Sequence, residues 1–204
     1  MRDTVYVLVF DGFADWQAAL ALCEVRRPGD WQVRTLGFSG APVVSMGGLT
    51  VQPDASLAEL APDRAVLLIV PGGHLWLRGE GAVAVQRLRQ AHAAGATVAG
   101  IDTGVVPLAR AGLLDHVRHT GNWPGQLNEV AGYAGEEQYD ADVLAANDGG
   151  VITASHLGSV EFAREVIRTL DLYGPADRED WFRLFKHAQL PSWCTGESPA
   201  GAVV

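Results

Sequence analysis

The sequence predicts an α/β protein with a flavodoxin-like three-layer sandwich: a mostly parallel, doubly wound sheet covered by helices on both faces. Three observations carry that prediction. Residues 4–10 and 65–70 are short, continuously apolar, β-branched runs, as expected of strands buried on both faces. Each stops at a turn signal, Asp11-Gly12 in one case and Pro71-Gly72-Gly73 in the other. Segments of helical period alternate with these runs, the order that builds parallel sheets.

Taken along the chain, residues 4–10 form the first strand. Residues 15–26 follow with apolar positions at helical spacing (Trp16, Ala19, Leu20, Cys23) until Arg27-Pro28-Gly29 stops them. Residues 31–38 read as a second strand. Val43-Val44 and Leu49-Thr50-Val51 flank Met46-Gly47-Gly48 as a small hairpin, and residues 53–57 introduce a short helical turn. After strand 65–70, residues 82–94 form an amphipathic helix ended by Gly95. Residues 97–101 are a strand that passes at Asp102 into a helix over 103–111, stopped by Gly112. Residues 143–146 and 151–154 are joined through Asn147-Asp148-Gly149-Gly150 as a hairpin, and 159–172 and 177–186 are terminal helices. With no linker or repeat, residues 1–190 are expected to be one domain and 191–204 a C-terminal tail.

Composition narrows the function classes. Of 204 residues 48% are apolar and 19% charged, enough to fill a core and too apolar for disorder. Fifteen Lys and Arg against 24 Asp and Glu leave a net charge of −9, which repels a phosphate backbone, so no nucleic-acid partner is expected. No stretch of about 18 apolar residues and no signal-peptide core is present, which predicts no membrane contact and a cytoplasmic location. Cys23 and Cys194 lack the spacing of a disulfide framework or zinc site, and Cys23 reads as a small buried hydrophobe. Asp102, His74, His119 and His156 show no metal-ligand spacing, so neither metal nor cofactor is expected.

In an open parallel sheet, ligands bind beyond the carboxyl ends of the strands. Three strands end in special residues there: Asp11-Gly12, Pro71-Gly72-Gly73 and Asp102-Thr103-Gly104. The last has the shape of a nucleophile elbow, a tight strand-to-helix turn that exposes the residue at its bend. Residues 10–13, 70–73 and 100–104 together resemble three marks of the ThiJ/PfpI superfamily, a branch of the class I glutamine amidotransferase-like fold. Residues 48–57, 111–114 and 161–163 are similar too, so the resemblance runs in order over about residues 4–172.

The resemblance implies the flavodoxin-like sandwich and a homodimer. At the site it implies a reactive cysteine at the elbow, an acidic residue after the first strand, a nearby histidine and an oxyanion hole from Gly-Gly backbone amides. Members include proteases, glyoxalase-like and deglycase-like enzymes, isonitrile hydratases and chaperones. This chain departs from that pattern at the site itself. The elbow residue is Asp102, the next is Thr103, and the acid position, five residues after Gly12, holds Gln17; Asp15 lies two residues out of register. The position that can carry a histidine falls on His119 or Asn122, with spacing from Gly112-Leu113-Leu114 favouring Asn122.

A carboxylate is a far weaker nucleophile than a thiolate, so this replacement removes cysteine chemistry. It leaves an anion over a helix N-terminus, beside an amide that donates without titrating, much as an oxidised cysteine would sit. Alone, Asp102 reads as a helix N-cap; paired with Gln17 it reads as an anionic binding site. The candidate binding residues are Gly72, Gly73, His74, His119, Asn122 and Trp123, with Trp16 and Trp76 as further walls for a small-molecule ligand. Two rival readings are an Asp102-dependent hydrolase or lyase and a chaperone-like dimer; Trp181 and Trp193, in the terminal region, are candidates for packing across a dimer contact.

Overall fold

Strand β1 (Thr4–Leu8) is buried at every position, as its apolar run requires. Its side chains alternate between the two faces: Tyr6 and Leu8 enter one core, Val5 and Val7 the other. A computed structural model describes residues 3–28, 30–191 and 194. Gly29, Trp193 and the expected tail beyond Pro191, Cys194 excepted, lie outside the described residues.

Helix α1 (Asp15–Arg26) follows β1, and β2 (Gln32–Gly37) pairs parallel to it. The hairpin β3 (Val43–Val44) and β4 (Thr50–Val51) stands apart as a two-stranded sheet. Residues 53–57, expected as a helical turn, divide in two. β5 (Ala55–Ser56) adds an edge strand to β2, and a single 3-10 turn, Leu57–Glu59, follows. Strand β6 (Ala65–Val70), the short helix α2 (His74–Leu77), α3 (Ala82–Ala93) and β7 (Thr97–Ile101) come next. A 3-10 turn at Asp102–Gly104 leads into α4 (Val105–Arg110), and α5 (Pro124–Asn128) is a second short helix that its sequence does not announce. β8 (Ala145–Asp148) and β9 (Val151–Ala154) close the sheet, followed by α6 (Ser159–Thr169) and α7 (Pro175–His187). The β8–β9 turn is shorter than expected. Gly149 and Gly150 alone make it, with φ of 56° and 77°, the two left-handed residues of a tight hairpin, so Asn147 and Asp148 join the strand.

The main sheet runs β5-β2-β1-β6-β7-β9-β8, parallel throughout except for β8 against β9. From β1 the chain winds outward to β2 and β5, then crosses back to β6. Winding therefore reverses between β1 and β6, and the crevice this opens lies at their carboxyl ends. One face packs Leu8, Phe10, Trp76, Leu88 and Leu108; the other packs Val7, Ile69, Ile101, Phe162 and Ile167. Full burial of each such side chain contributes about 1.5–3 kcal/mol. Trp181 is buried within the second core beside Phe185, because α7 lies down on α6. One expectation changes here. Cys23 is exposed: the buried stripe of α1 runs through Ala18, Ala21 and Val25 and leaves it outside.

Candidate functional site

The ends of β1, β6 and β7 build the candidate site. β7 stops at Ile101, and Asp102 takes φ 60°, a left-handed backbone that costs a non-glycine residue about 1–2 kcal/mol. That conformation turns the chain sharply into the 3-10 turn and lifts the Asp102 side chain toward β6. Gly104 closes the bend against β6: a Cβ there would land on the Val70 carbonyl oxygen and lie 2.9 Å from that of Pro71. Gly72 is bare for a related reason, since its Cβ would overlap Asp102 Oδ2 and come within 2.9 Å of Gln17 Oε1. The elbow carboxylate thus rests directly on the Gly72 backbone.

A single chain of hydrogen bonds runs through that carboxylate. The Gly72 N–H donates to Gln17 Oε1 at 2.6 Å, and Gln17 Nε2 donates to Asp102 Oδ2 at 2.8 Å. On the other side Asn122 Nδ2 donates to Asp102 Oδ1 at 2.6 Å, while Asn122 Oδ1 accepts the His156 N–H at 2.9 Å. Backbone N–H groups only donate, so each fixes the oxygen end of its amide and leaves the NH2 end for Asp102. The two carboxamides cannot flip without losing both of their contacts. Gln17 is 1% exposed and held on the first turn of α1, and its contact to Asp102 is part-buried. Among the described residues every ion pair lies elsewhere, and Asp102 has neutral donors and no cationic partner.

The other expected residues divide clearly. The Gly73 N–H donates to Thr103 Oγ1 at 2.8 Å, so Thr103 pins the Gly-Gly turn and does not address Asp102. With Gly72 bonded to Gln17, both amides expected to form an oxyanion hole are already engaged. His119 is elsewhere. Its Nδ1 donates to the Val117 carbonyl at 2.8 Å and its Nε2 accepts from the Tyr133 hydroxyl at 2.7 Å, with Tyr133 and Tyr139 packed edge-on. His74 is exposed at the start of α2. Trp76 is a core residue whose Nε1 donates to the Pro71 carbonyl at 2.9 Å and whose ring meets Phe10 edge-on. Trp16 and Trp123, by contrast, are 51% and 55% exposed. Asp15 is turned away to accept the Ser45 hydroxyl at 2.6 Å, which tethers the β3–β4 hairpin. His156, which anchors Asn122, enters from the sequence only as a metal-ligand candidate; its place just past β9, at the same sheet edge, is the signal that could have found it. Among the described residues no group of three or more His, Cys, Asp and Glu side chains is placed to hold a metal ion. No helix among them is long and apolar enough to cross a membrane.

Burial pushes the His119 imidazole below its ordinary value, with the Val117 carbonyl and Asp115 opposing, and raises the Tyr133 hydroxyl to about 12. A lowered histidine value means the folded state binds fewer protons. Its contribution is whole above the unfolded value of about 6.5 and is lost as pH falls through the folded one. His119→Phe should cost about 1–3 kcal/mol at pH 7.5, because it strands the Tyr133 hydroxyl and the Val117 carbonyl. The variant's melting temperature should then fall less than the wild type's between pH 7 and pH 5. Thermal melts across that range check both effects.

The sequence and fold place the chain among known proteins. A model of the DJ-1/PfpI family matches residues 3–169. A Bacillus subtilis protein named Uncharacterized protease YoaZ is 30% identical over 93% of each chain. Deglycase TK1284 of Thermococcus kodakarensis is 28% identical over 81% of this chain and 98% of its own. The crystal structure of the DJ-1 superfamily protein Atu0886 from Agrobacterium tumefaciens superposes with a TM-score of 0.85 at 32% identity, covering 92% of this chain and all of that one.

Proposed function

This chain belongs to the DJ-1/PfpI family, and we propose that it works without the family's cysteine chemistry, binding a small molecule at Asp102 in a sensing or regulatory role. One observation carries this reading: both oxygens of the elbow carboxylate accept short hydrogen bonds from neutral amides, at 2.8 and 2.6 Å. Donors so placed disperse the carboxylate's charge and weaken it as a nucleophile. His119, one of the two positions that could carry the nearby histidine of the resemblance, is committed to Val117 and Tyr133.

The left-handed backbone at Asp102 favours a second reading. Strain of this kind collects at reactive sites, and an Asp-dependent hydrolase would present its nucleophile in this way. A substrate panel separates the two. Methylglyoxal, an aminopeptidase substrate and an isonitrile should give no turnover above buffer. Turnover that disappears in Asp102→Asn would replace the binding reading with the enzymatic one.

The proposal includes a cytoplasmic homodimer. Val44, Met46 and Leu49 on the hairpin are about half exposed, as is Trp16 beside them on α1. Such a patch on a monomer would face water at a cost. Sedimentation should give twice the chain mass, and Met46→Glu with Leu49→Glu should return it to a monomer; a wild-type monomer at micromolar concentration would remove this part.

A further inference from the structure

The hydrogen-bond polarity of the site defines what it binds. Resting on the binding reading above, we infer that Asp102 takes a small organic cation with N–H donors, an alkylammonium or guanidinium group, and rejects the carbonyl and carboxylate groups that an oxyanion hole would hold. The first ground is the loss of donors. The Gly72 and Gly73 N–H groups end on Gln17 Oε1 and Thr103 Oγ1, so neither is left for a ligand oxygen. To free the Gly72 N–H, Gln17 would have to turn and leave Asp102 Oδ2 unpaired as well.

The second ground is what remains. A carboxylate has about four acceptor directions, and the two amides occupy two of them. Asp102 is partly exposed, so its unused lone pairs are open to a ligand. His156 adds an acceptor of the same sense. Its Nδ1 lies 3.0 Å from Asn122 Oδ1, an atom that only accepts, so Nδ1 carries a proton, and in the Nδ1–H tautomer Nε2 is a further acceptor. His156 is itself exposed. The site therefore offers lone pairs to a ligand that must bring hydrogens.

The third ground is charge. Asp102 has only neutral partners, and the chain's net charge of −9 draws cations toward it. Trp123, one residue along the chain from the Asn122 amide that holds Asp102, is a half-exposed indole. An indole face attracts an ammonium or guanidinium group and gives no such preference to an aldehyde. In this arrangement the ligand nitrogen donates to Asp102, with His156 as a neighbouring acceptor and Trp123 as the indole on offer to the cation.

Calorimetry with butylammonium, guanidinium, butyrate and butyraldehyde at pH 7.5 tests the inference. The side-chain amide resonances of Gln17 and Asn122 are followed in the same titrations to locate binding. The two cations should bind about tenfold or more tightly than butyrate and butyraldehyde and should shift both amide pairs. Trp123→Ala, an exposed position that leaves the fold intact, should weaken butylammonium binding several-fold. Asp102→Asn should abolish it; the wild-type ranking and Trp123→Ala decide the matter should that variant fail to fold. Butyrate or butyraldehyde binding with shifts at Asn122, and the cations silent, would overturn the cation while leaving a binding site in place. Silence from all four probes at both amides would overturn the cation and the binding reading together.

Discussion

Gln17→Glu is expected to lower the melting temperature by about 6–12 °C at pH 8 and by far less at pH 5. The Gln17 amide links the Gly72 N–H to Asp102 Oδ2 across 2.6 and 2.8 Å and is 1% exposed. A carboxyl in its place keeps the first contact but turns its second oxygen onto a carboxylate. Two such groups at hydrogen-bond distance cannot both stay ionised, so the pair must hold one proton. A buried charge without a partner costs about 3 kcal/mol or more, which for a chain of this size is about 2–4 °C per kcal/mol. The sign follows from linkage. The introduced carboxyl would have a folded-state value raised above the unfolded glutamate value of about 4.3, so stability is whole below that pH and falls as pH rises through the raised value. Equal melting temperatures for variant and wild type at pH 8 would show that the two side chains are not held together as described.

Gly104→Ala should cost about 3 kcal/mol, seen as a melting temperature lower by about 6–12 °C, by way of backbone collision alone. Gly104 has an ordinary helical φ of −61°, so an alanine there has no torsional penalty. Its methyl would meet the Val70 carbonyl and approach that of Pro71 to 2.9 Å, and neither can move without parting the elbow from β6. Gly72→Ala makes an instructive comparison. Its methyl meets the ends of Asp102 and Gln17, which have some freedom to give, so its stability cost should be the smaller of the two, about 1–2 kcal/mol. Its effect on the site should be the larger, since it displaces the carboxylate from its amide. Urea denaturation of the two variants, with the Gln17 amide resonance as a second readout, checks that order.

The parts of this molecule with a short-range signal were legible in the sequence. The apolar runs of β1 and β6, ended by abrupt glycine turns, carry the pattern of buried parallel strands, and α1 falls at the residues its periodicity predicts. Gln17 and Asp102 lie 85 positions apart, and their pairing came from the resemblance to the ThiJ/PfpI superfamily, whose elbow and acid positions these residues occupy. Features that depend on tertiary partners were not legible. β5 exists only because Leu36 and Gly37 offer it an edge, and two residues leave no periodicity to read. Nothing local distinguishes His119, which is buried against Tyr133 and Tyr139, from a histidine lining a cleft. The engaged state of the Gly72 and Gly73 amides is likewise invisible in sequence, since it depends on where the Gln17 and Thr103 side chains point.

The central claim, that the elbow carboxylate binds without reacting, is tested most directly by isotope labelling of Asp102 itself. An aspartate nucleophile forms an ester to the substrate carbon, and water then attacks the ester carbonyl, leaving one water oxygen in the side chain. The protein is incubated in H2(18)O with an epoxide and an alkyl halide, then digested in ordinary water. Cleavage after Arg89 and Arg110 releases residues 90–110, in which Asp102 is the only acidic side chain. We predict that this peptide keeps its unlabelled mass with every electrophile; an increase of about 2 Da, the difference between the two oxygen isotopes in an ester cleaved at its acyl carbon, would contradict the account and make Asp102 a nucleophile.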